Sequence, residues 1–291
     1  MQKPSPVGLL AGLAAASIWG GMYVVSKVVL EVVPPFTLLV TRLVLGIIAL
    51  GTVIAFRPKA TLTKAQFWQI FLVGFVGYGI SLGFQFVGTK LSTASNGSLV
   101  TSASPAFVLL FAPFLLGERT TTRRLIALVI STLGVVAVID PRNAELSPTL
   151  FWGNLSLLAA ALTWAAYSVL VRKVSQTGDL LTASAIMLAG GIPSSMIFGY
   201  WEIQSQGIGE ITLGVIGGIL FLGIISTAIA MFLWNYAFAE LPAAVASLTF
   251  FAQPVVGTIL GALFLGEQIT PLFMIGGVMI GIGLVIASTE K

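Results

Sequence analysis

Ten apolar stretches, separated by short breakers, run almost end to end through the chain, and no other feature limits its possible folds as tightly. They lie near 7 to 30, 36 to 56, 67 to 89, 96 to 116, 123 to 139, 149 to 171, 180 to 201, 213 to 238, 244 to 265 and 271 to 288. The breakers concentrate proline, glycine and charge, as in Pro34-Pro35, Arg57-Pro58-Lys59, Asp140-Pro141-Arg142 and Leu241-Pro242. A span needs roughly 20 apolar residues, and hydrocarbon leaves the backbone no partner but itself, so such stretches cross as helices. Only 8% of the 291 residues are charged against 57% hydrophobic, too few to cover a surface in water. A soluble enzyme, a disordered chain and a disulfide scaffold are excluded. The expected fold class is an all-α integral membrane protein of ten transmembrane helices. The first stretch exceeds a signal peptide's apolar region and nine similar ones follow, so it reads as a span.

The charges that remain report orientation. With ten spans both termini share a side, and Lys3, Arg57, Lys59, Lys64, Arg119, Arg123, Arg124, Arg172, Lys173 and Lys291 fall on it. Lys27, Lys90 and Arg142 fall on the other, and Arg42 lies within a span. This asymmetry predicts cytoplasmic termini, and it explains the net charge of +4 as topology, with no nucleic-acid partner. Cysteine and histidine are absent, which removes thiol chemistry, Cys/His metal sites and imidazole relays, so no cofactor or metal is expected.

The chain also repeats itself. Trp19, Tyr23 and Lys27 in the first span are echoed by Trp164, Ser168 and Arg172 in the sixth. Gly97-Ser98-Leu99, Pro105 and Leu116-Gly117-Glu118 return as Ala246-Ser247-Leu248, Pro254 and Leu265-Gly266-Glu267. Two five-helix repeats, residues 1–145 and 146–291, account for this. An odd number of spans per repeat turns the second upside down, and the loops invert accordingly: Arg57 to Lys64 is basic, whereas Glu202 to Thr212 carries no cation. Inverted-topology repeats are an architecture of alternating-access carriers.

The Trp-Gly-x-x-Tyr-x-x-x-Lys run from Trp19 to Lys27, Arg42 early in the second span, the Leu-Gly-Glu triplets after spans four and nine, and Trp164 to Arg172 resemble the EamA family of the drug/metabolite transporter superfamily. The resemblance covers essentially the whole chain. It implies a ten-helix bacterial inner-membrane carrier, commonly an exporter of amino acids or other metabolites, and the chain looks most like the aromatic amino-acid exporter branch (YddG type).

Candidate substrate contacts follow from polar and aromatic residues held inside spans. Trp19 and Tyr23 share a helix face with Lys27, and Trp164 lies equally deep in span six, away from the interfacial belt, so both tryptophans can stack on a substrate. Tyr78 and Tyr167 carry hydroxyls needing partners, while Gln85, Asn235 and Gln253 offer amides that donate and accept without the desolvation cost of a charge. Helix packing and interhelical hydrogen bonding are equally available readings of these residues. Arg42 and Lys27 are possible carboxylate contacts or gates, although Arg42 can instead snorkel outward or pair with Glu31. Pro105 and Pro254, at matching positions, are the expected helix hinges, each freeing the carbonyl four residues earlier, at Thr101 and Phe250. Glu118 and Glu267 read as structural, favouring the N-terminus of the helix that follows each.

No Asp or Glu lies near the middle of any span, so no midplane proton relay is expected and export should be facilitated or driven by the substrate gradient. The partners expected are a small metabolite and the bilayer. A sugar-phosphate, nucleotide or drug transporter of the same superfamily is the nearest alternative; phosphates should attract several cavity cations, and only Arg42 and Lys27 qualify. An enzyme would need a nucleophile with a base or clustered metal ligands, neither of which is visible, and a channel would not need matched proline breaks.

Overall fold

The computed structural model describes residues 6–57, 62–104, 106–107, 111, 114–115, 121–139, 147–174, 179–240 and 249–288, and every regular element among them is a helix. In chain order these are α1 (Pro6–Val29), α2 (Pro35–Ala55), α3 (Lys64–Leu91), α4 (Ala94–Thr101), α5 (Thr122–Ile139) and α6 (Pro148–Val174). They continue with α7 (Leu180–Gln206), α8 (Leu213–Leu220, then Phe221–Ile229 and Ala230–Glu240), α9 (Ala252–Leu265) and α10 (Pro271–Ser288). Among the described residues six helices are long and apolar enough to cross a membrane, with shorter apolar helices at Leu125–Val138, Ala252–Leu265 and Pro271–Gly283. Span four, read from 96 to 116, is described as α4 with only scattered residues beyond it.

Local chemistry sets the helix ends. Pro35 opens α2 at its first position, where a missing amide costs nothing. Thr63 and Gln66 form a reciprocal capping box at the start of α3, and Thr93, Asp179 and Thr212 cap α4, α7 and α8. Gly266 takes φ of 65° just past α9, a left-handed conformation that favours glycine, and the Thr270 hydroxyl accepts the Phe273 amide at 3.1 Å to start α10.

Two helices carry a feature the hydropathy pattern does not show. α3 widens to π-helical geometry over Phe75–Ser81, and α8 does so over Phe221–Ile229, with starts 146 residues apart. A π turn leaves a backbone carbonyl out of the regular ladder, and such segments recur at functional sites.

Packing between helices follows a paired pattern. α1 lies against α8 and α9, while α6 lies against α3 and α4; α2 meets α7, α4 meets α9, and α5 meets α10. Close crossings use glycine. A Cβ on Gly74 of α3 would collide with the Met187 backbone of α7, and one on Gly190 with the Phe71 carbonyl of α3. At the α5–α10 crossing the residues in backbone contact are Gly134 and Gly276. Gly283 of α10 likewise meets Ser131 and the Ala127 carbonyl of α5, while Gly277 faces Leu99 at ordinary distance.

Candidate functional site

A central cavity of about 50 Å³ is lined by residues of α1, α2, α3, α4, α6, α8 and α9. Seven of the sequence-derived candidates line it: Trp19, Tyr23, Arg42, Tyr78, Gln85, Trp164 and Gln253. Tyr167 stands one layer back, its hydroxyl donating to that of Tyr78 at 3.3 Å, and its ring fits where Gly77 of the π segment lacks a Cβ. The Asn235 side chain and Pro105 lie outside the described residues.

Arg42 is the cavity's cation. It is 3% exposed, with Nε donating to Thr227 Oγ1 at 2.9 Å and Nη2 to Ser226 Oγ at 3.4 Å, both in the π segment of α8. Its guanidinium also lies 5.2 Å from the centre of the Phe86 ring. It neither snorkels nor pairs with Glu31; an ion pair does form between Arg57 and Asp179, at 3.9 Å, away from Arg42. The Arg42 charge therefore has hydroxyls around it but no carboxylate among the described residues. Leaving a buried cation without an anion is costly.

The walls beside it are aromatic. On one side Trp19, Trp234 and Phe250 form a triad with centroid separations of 5.3, 6.0 and 5.0 Å; on the other Trp164, Tyr78 and Tyr167 do so at 6.0, 5.5 and 4.7 Å. The indole of Trp19 donates to the Ser226 carbonyl at 3.0 Å, tying α1 to the π segment of α8. Tyr23, Thr101 and Gln253 form a polar patch across three helices: the Tyr23 and Thr101 hydroxyls are 2.5 Å apart, and Gln253 Nε2 donates to Thr101 Oγ1 at 2.9 Å.

The backbone is irregular around both proline positions. Ala103 and Ala106 bond three residues back, to Val100 and Ala103, and the Ser104 hydroxyl satisfies the Thr101 carbonyl at 2.6 Å. Pro254 follows a 3₁₀ turn, Thr249–Phe251, and sits in the first turn of α9 proper, not in the middle of a regular helix.

Lys27 lies off the cavity. Its ammonium donates to the carbonyls of Thr89 (3.1 Å), Lys90 (2.7 Å) and Ser92, closing the C-terminus of α3, where a cation is favoured. Glu267 also differs from expectation. Its carboxylate accepts the amides of Ala94 (2.6 Å) and Ser95 (2.8 Å), so it caps α4 from the other end of the chain and not the helix that follows it. Glu118 lies outside the described residues. Glu202 of α7 does the same for α2, accepting the amides of Phe36 (2.8 Å) and Thr37 (3.1 Å). These bonds, with the Gly209 amide on the Val32 carbonyl at 2.9 Å, knit one end of the helix assembly together.

Met22, Ser81, Ser104, Ser226, Thr227, Met231 and Phe250 also line the cavity and were not singled out as contacts from the sequence. For Ser226 and Thr227 the nearby mark in the sequence is Gly223, which matches Gly77 at the 146-residue offset of the two π segments.

Comparison with known proteins bears on what this arrangement serves. The chain is 28% identical over 293 residues, covering 96% of itself and 93% of the relative, to a "probable amino-acid metabolite efflux pump" of Salmonella typhimurium. It is 23% identical to the uncharacterized transporter YoaV of Bacillus subtilis, over 95% of this chain and 94% of that one. A crystal structure superposes with a TM-score of 0.67 over 96% of both chains at 20% identity, which shows a shared fold. The model of the EamA-like transporter family matches residues 6–139 and again 151–289. The chain belongs to the EamA-like transporter family, whose members are multi-pass membrane transporters of small molecules.

Proposed function

We propose that this protein is a bacterial inner-membrane carrier, of the aromatic amino-acid exporter type (YddG-like), that exports amino acids with aromatic or neutral side chains. The observation that carries the reading is Arg42, a buried guanidinium without a carboxylate among the described residues, facing a cavity walled by Trp19, Tyr78, Trp164 and Phe250. The guanidinium would take the substrate carboxylate. The rings would cover an apolar side chain, and Gln85 and Gln253, with Asn235 expected alongside, would meet the amino group.

Alternating access between two inverted halves is supported by three features: the double match of the family model, the π segments at corresponding places, and the paired packing pattern. Pro105 and Pro254 serve in this reading as bending points. The basic loops make both termini cytoplasmic and the end closed by Lys27, Glu202 and Glu267 extracytoplasmic. A phosphate-bearing substrate is disfavoured, because Lys27 is engaged with α3 carbonyls and Arg42 alone is left to neutralise it.

Counterflow in proteoliposomes against a panel of amino acids tests this. Phenylalanine, tyrosine and neutral amino acids should exchange, while sugar phosphates should not. Trp19→Ala and Trp164→Ala should lower flux with membrane insertion unchanged; unaltered flux removes those rings from the site.

A further inference from the structure

Beside the central cavity a second, larger crevice of about 140 Å³ opens between α2, α7 and α8. It is lined by Leu50, Arg57, Asp179, Ser184, Phe232 and Tyr236, and Met231 borders both spaces. Arg57 and Asp179 belong to the 2–3 and 6–7 connections, so in the orientation proposed above the crevice sits at the cytoplasmic end.

Three observations give this place a role. The central cavity, at about 50 Å³, holds about three waters and is enclosed by buried side chains such as Arg42, Tyr23, Tyr78 and Gln253, so cargo cannot reside there until something moves, whereas the crevice is reached through half-exposed Arg57 and Asp179. The opposite end is held by Lys27, Glu202 and Glu267 on helix termini of the other half or of a neighbouring helix. Between the two spaces stands one unbranched side chain, Met231, tethered by a hydrogen bond from the Tyr78 hydroxyl to its sulfur at 3.1 Å. Thioether sulfur is a weak acceptor and methionine changes rotamer readily, so this partition can swing at little cost. The crevice itself presents a cation and an anion 3.9 Å apart, with side chains 52% and 38% exposed. An exposed pair of that kind is worth at most about 1 kcal/mol, and a zwitterion can replace each partner with its own opposite charge.

We propose that this crevice is a loading site for zwitterionic cargo and that Met231 is the movable wall between it and the central cavity. The carboxylate goes to Arg57, the ammonium to Asp179, and the apolar body lies against Leu50, Phe232 and Tyr236. Withdrawal of Met231 from Tyr78 then joins the two spaces and hands the carboxylate on toward Arg42. The proposal rests on the carrier reading above and adds a site and a gate to it.

The absence of cysteine makes the test clean. Single Ser184→Cys and Gln85→Cys variants report the crevice and the cavity to a membrane-impermeant thiol reagent in vesicles of known sidedness. Ser184→Cys should react from the cytoplasmic face, phenylalanine should slow that reaction severalfold, and adding Arg57→Gln should remove the protection. Gln85→Cys should react slowly from the same face, about tenfold faster with Met231→Ala and more slowly still with Met231→Trp. A single monodisperse peak for both Met231 variants on size-exclusion chromatography in detergent shows that they fold. Absence of phenylalanine protection at Ser184→Cys, labelling only from the outer face, or Gln85→Cys labelling indifferent to Met231→Ala overturns the proposal while leaving counterflow intact. Loss of all counterflow in the unmodified protein would instead overturn the carrier reading.

Discussion

Arg42 concentrates the chemistry of this molecule in one side chain. Its donors reach the hydroxyls of Thr227 and Ser226 and the sulfur of Met22, all neutral acceptors, so the guanidinium is solvated but not neutralised. A structural arginine and a substrate-binding one make opposite demands here. Removing a structural salt bridge or bidentate bond destabilises a fold, whereas removing an uncompensated buried charge relieves it. Arg42→Gln should therefore leave thermal stability in detergent equal or raised, while weakening apparent substrate affinity by one to two orders of magnitude, the equivalent of about 1.5–3 kcal/mol for a charged hydrogen bond. Arg42→Lys should keep part of the affinity, since it keeps the charge but loses the planar fork. A marked drop in melting temperature for Arg42→Gln with transport intact would assign the residue to the fold instead.

At the level of elements, helix ends do much of the joining. Glu267 binds two amides at the start of α4 although 172 residues separate it from Ser95, and Glu202 binds two at the start of α2. Glu267→Gln keeps an acceptor but loses the charge that interacts with the helix dipole, so it should cost about 1 kcal/mol of stability, measurable by thermal unfolding in detergent. The Asp179 cap is exposed to pH. Burial pushes its pKa up, but the Thr182 hydroxyl and amide, the Leu181 amide and Arg57 together outweigh it and hold the carboxyl below its usual value. Because the folded pKa is the lower one, the cap's contribution is present above the unfolded value near 4 and disappears as pH falls through the lowered folded value. Asp179→Asn should flatten that acid-side loss. Close crossings set the other limit: Gly74→Ala places a methyl against the Met187 backbone of α7 and should cost about 1–3 kcal/mol.

For the whole molecule, alternate connections cluster. Bonds link the 1–2 connection to 7–8 (Val32 with Gly209) and 3–4 to 9–10 (Ala94 with Glu267), while 2–3 meets 6–7 (Arg57 with Asp179). Each joins connections that an alternating path puts on the same side. Single cysteines at Glu31 and Gln206 should accordingly label from the periplasmic side, and one at Arg57 from the cytoplasm. Labelling of Glu31→Cys and Arg57→Cys from one face would break the crossing pattern on which both the carrier reading and the loading site depend.

How much of this is legible without coordinates depends on whether a property is local. Apolar stretches, their breakers and their recurrence are local, because hydrocarbon imposes one length and one backbone solution on every crossing segment. Trp19, Tyr23, Arg42, Tyr78, Gln85, Trp164 and Gln253 stand out for the same reason: a polar or aromatic side chain deep in a span has few places to go but an interior space. Which way each helix turns is a different matter. Lys27 shares a face with Trp19 and Tyr23, yet its longer arm ends on the α3 carbonyls, and Tyr167 is drawn behind Tyr78 because Gly77 leaves room for its ring. Two π segments shift the register of α3 and α8 partway along, which brings Ser226 and Thr227 to Arg42; a hydropathy window averages over that shift. Met231 carries no polar contrast to mark it, and its place between two spaces exists only once α2, α7 and α8 have packed. Length and polarity belong to the segment, whereas rotation, register and the partner of a helix end are settled by neighbours a hundred or more residues away.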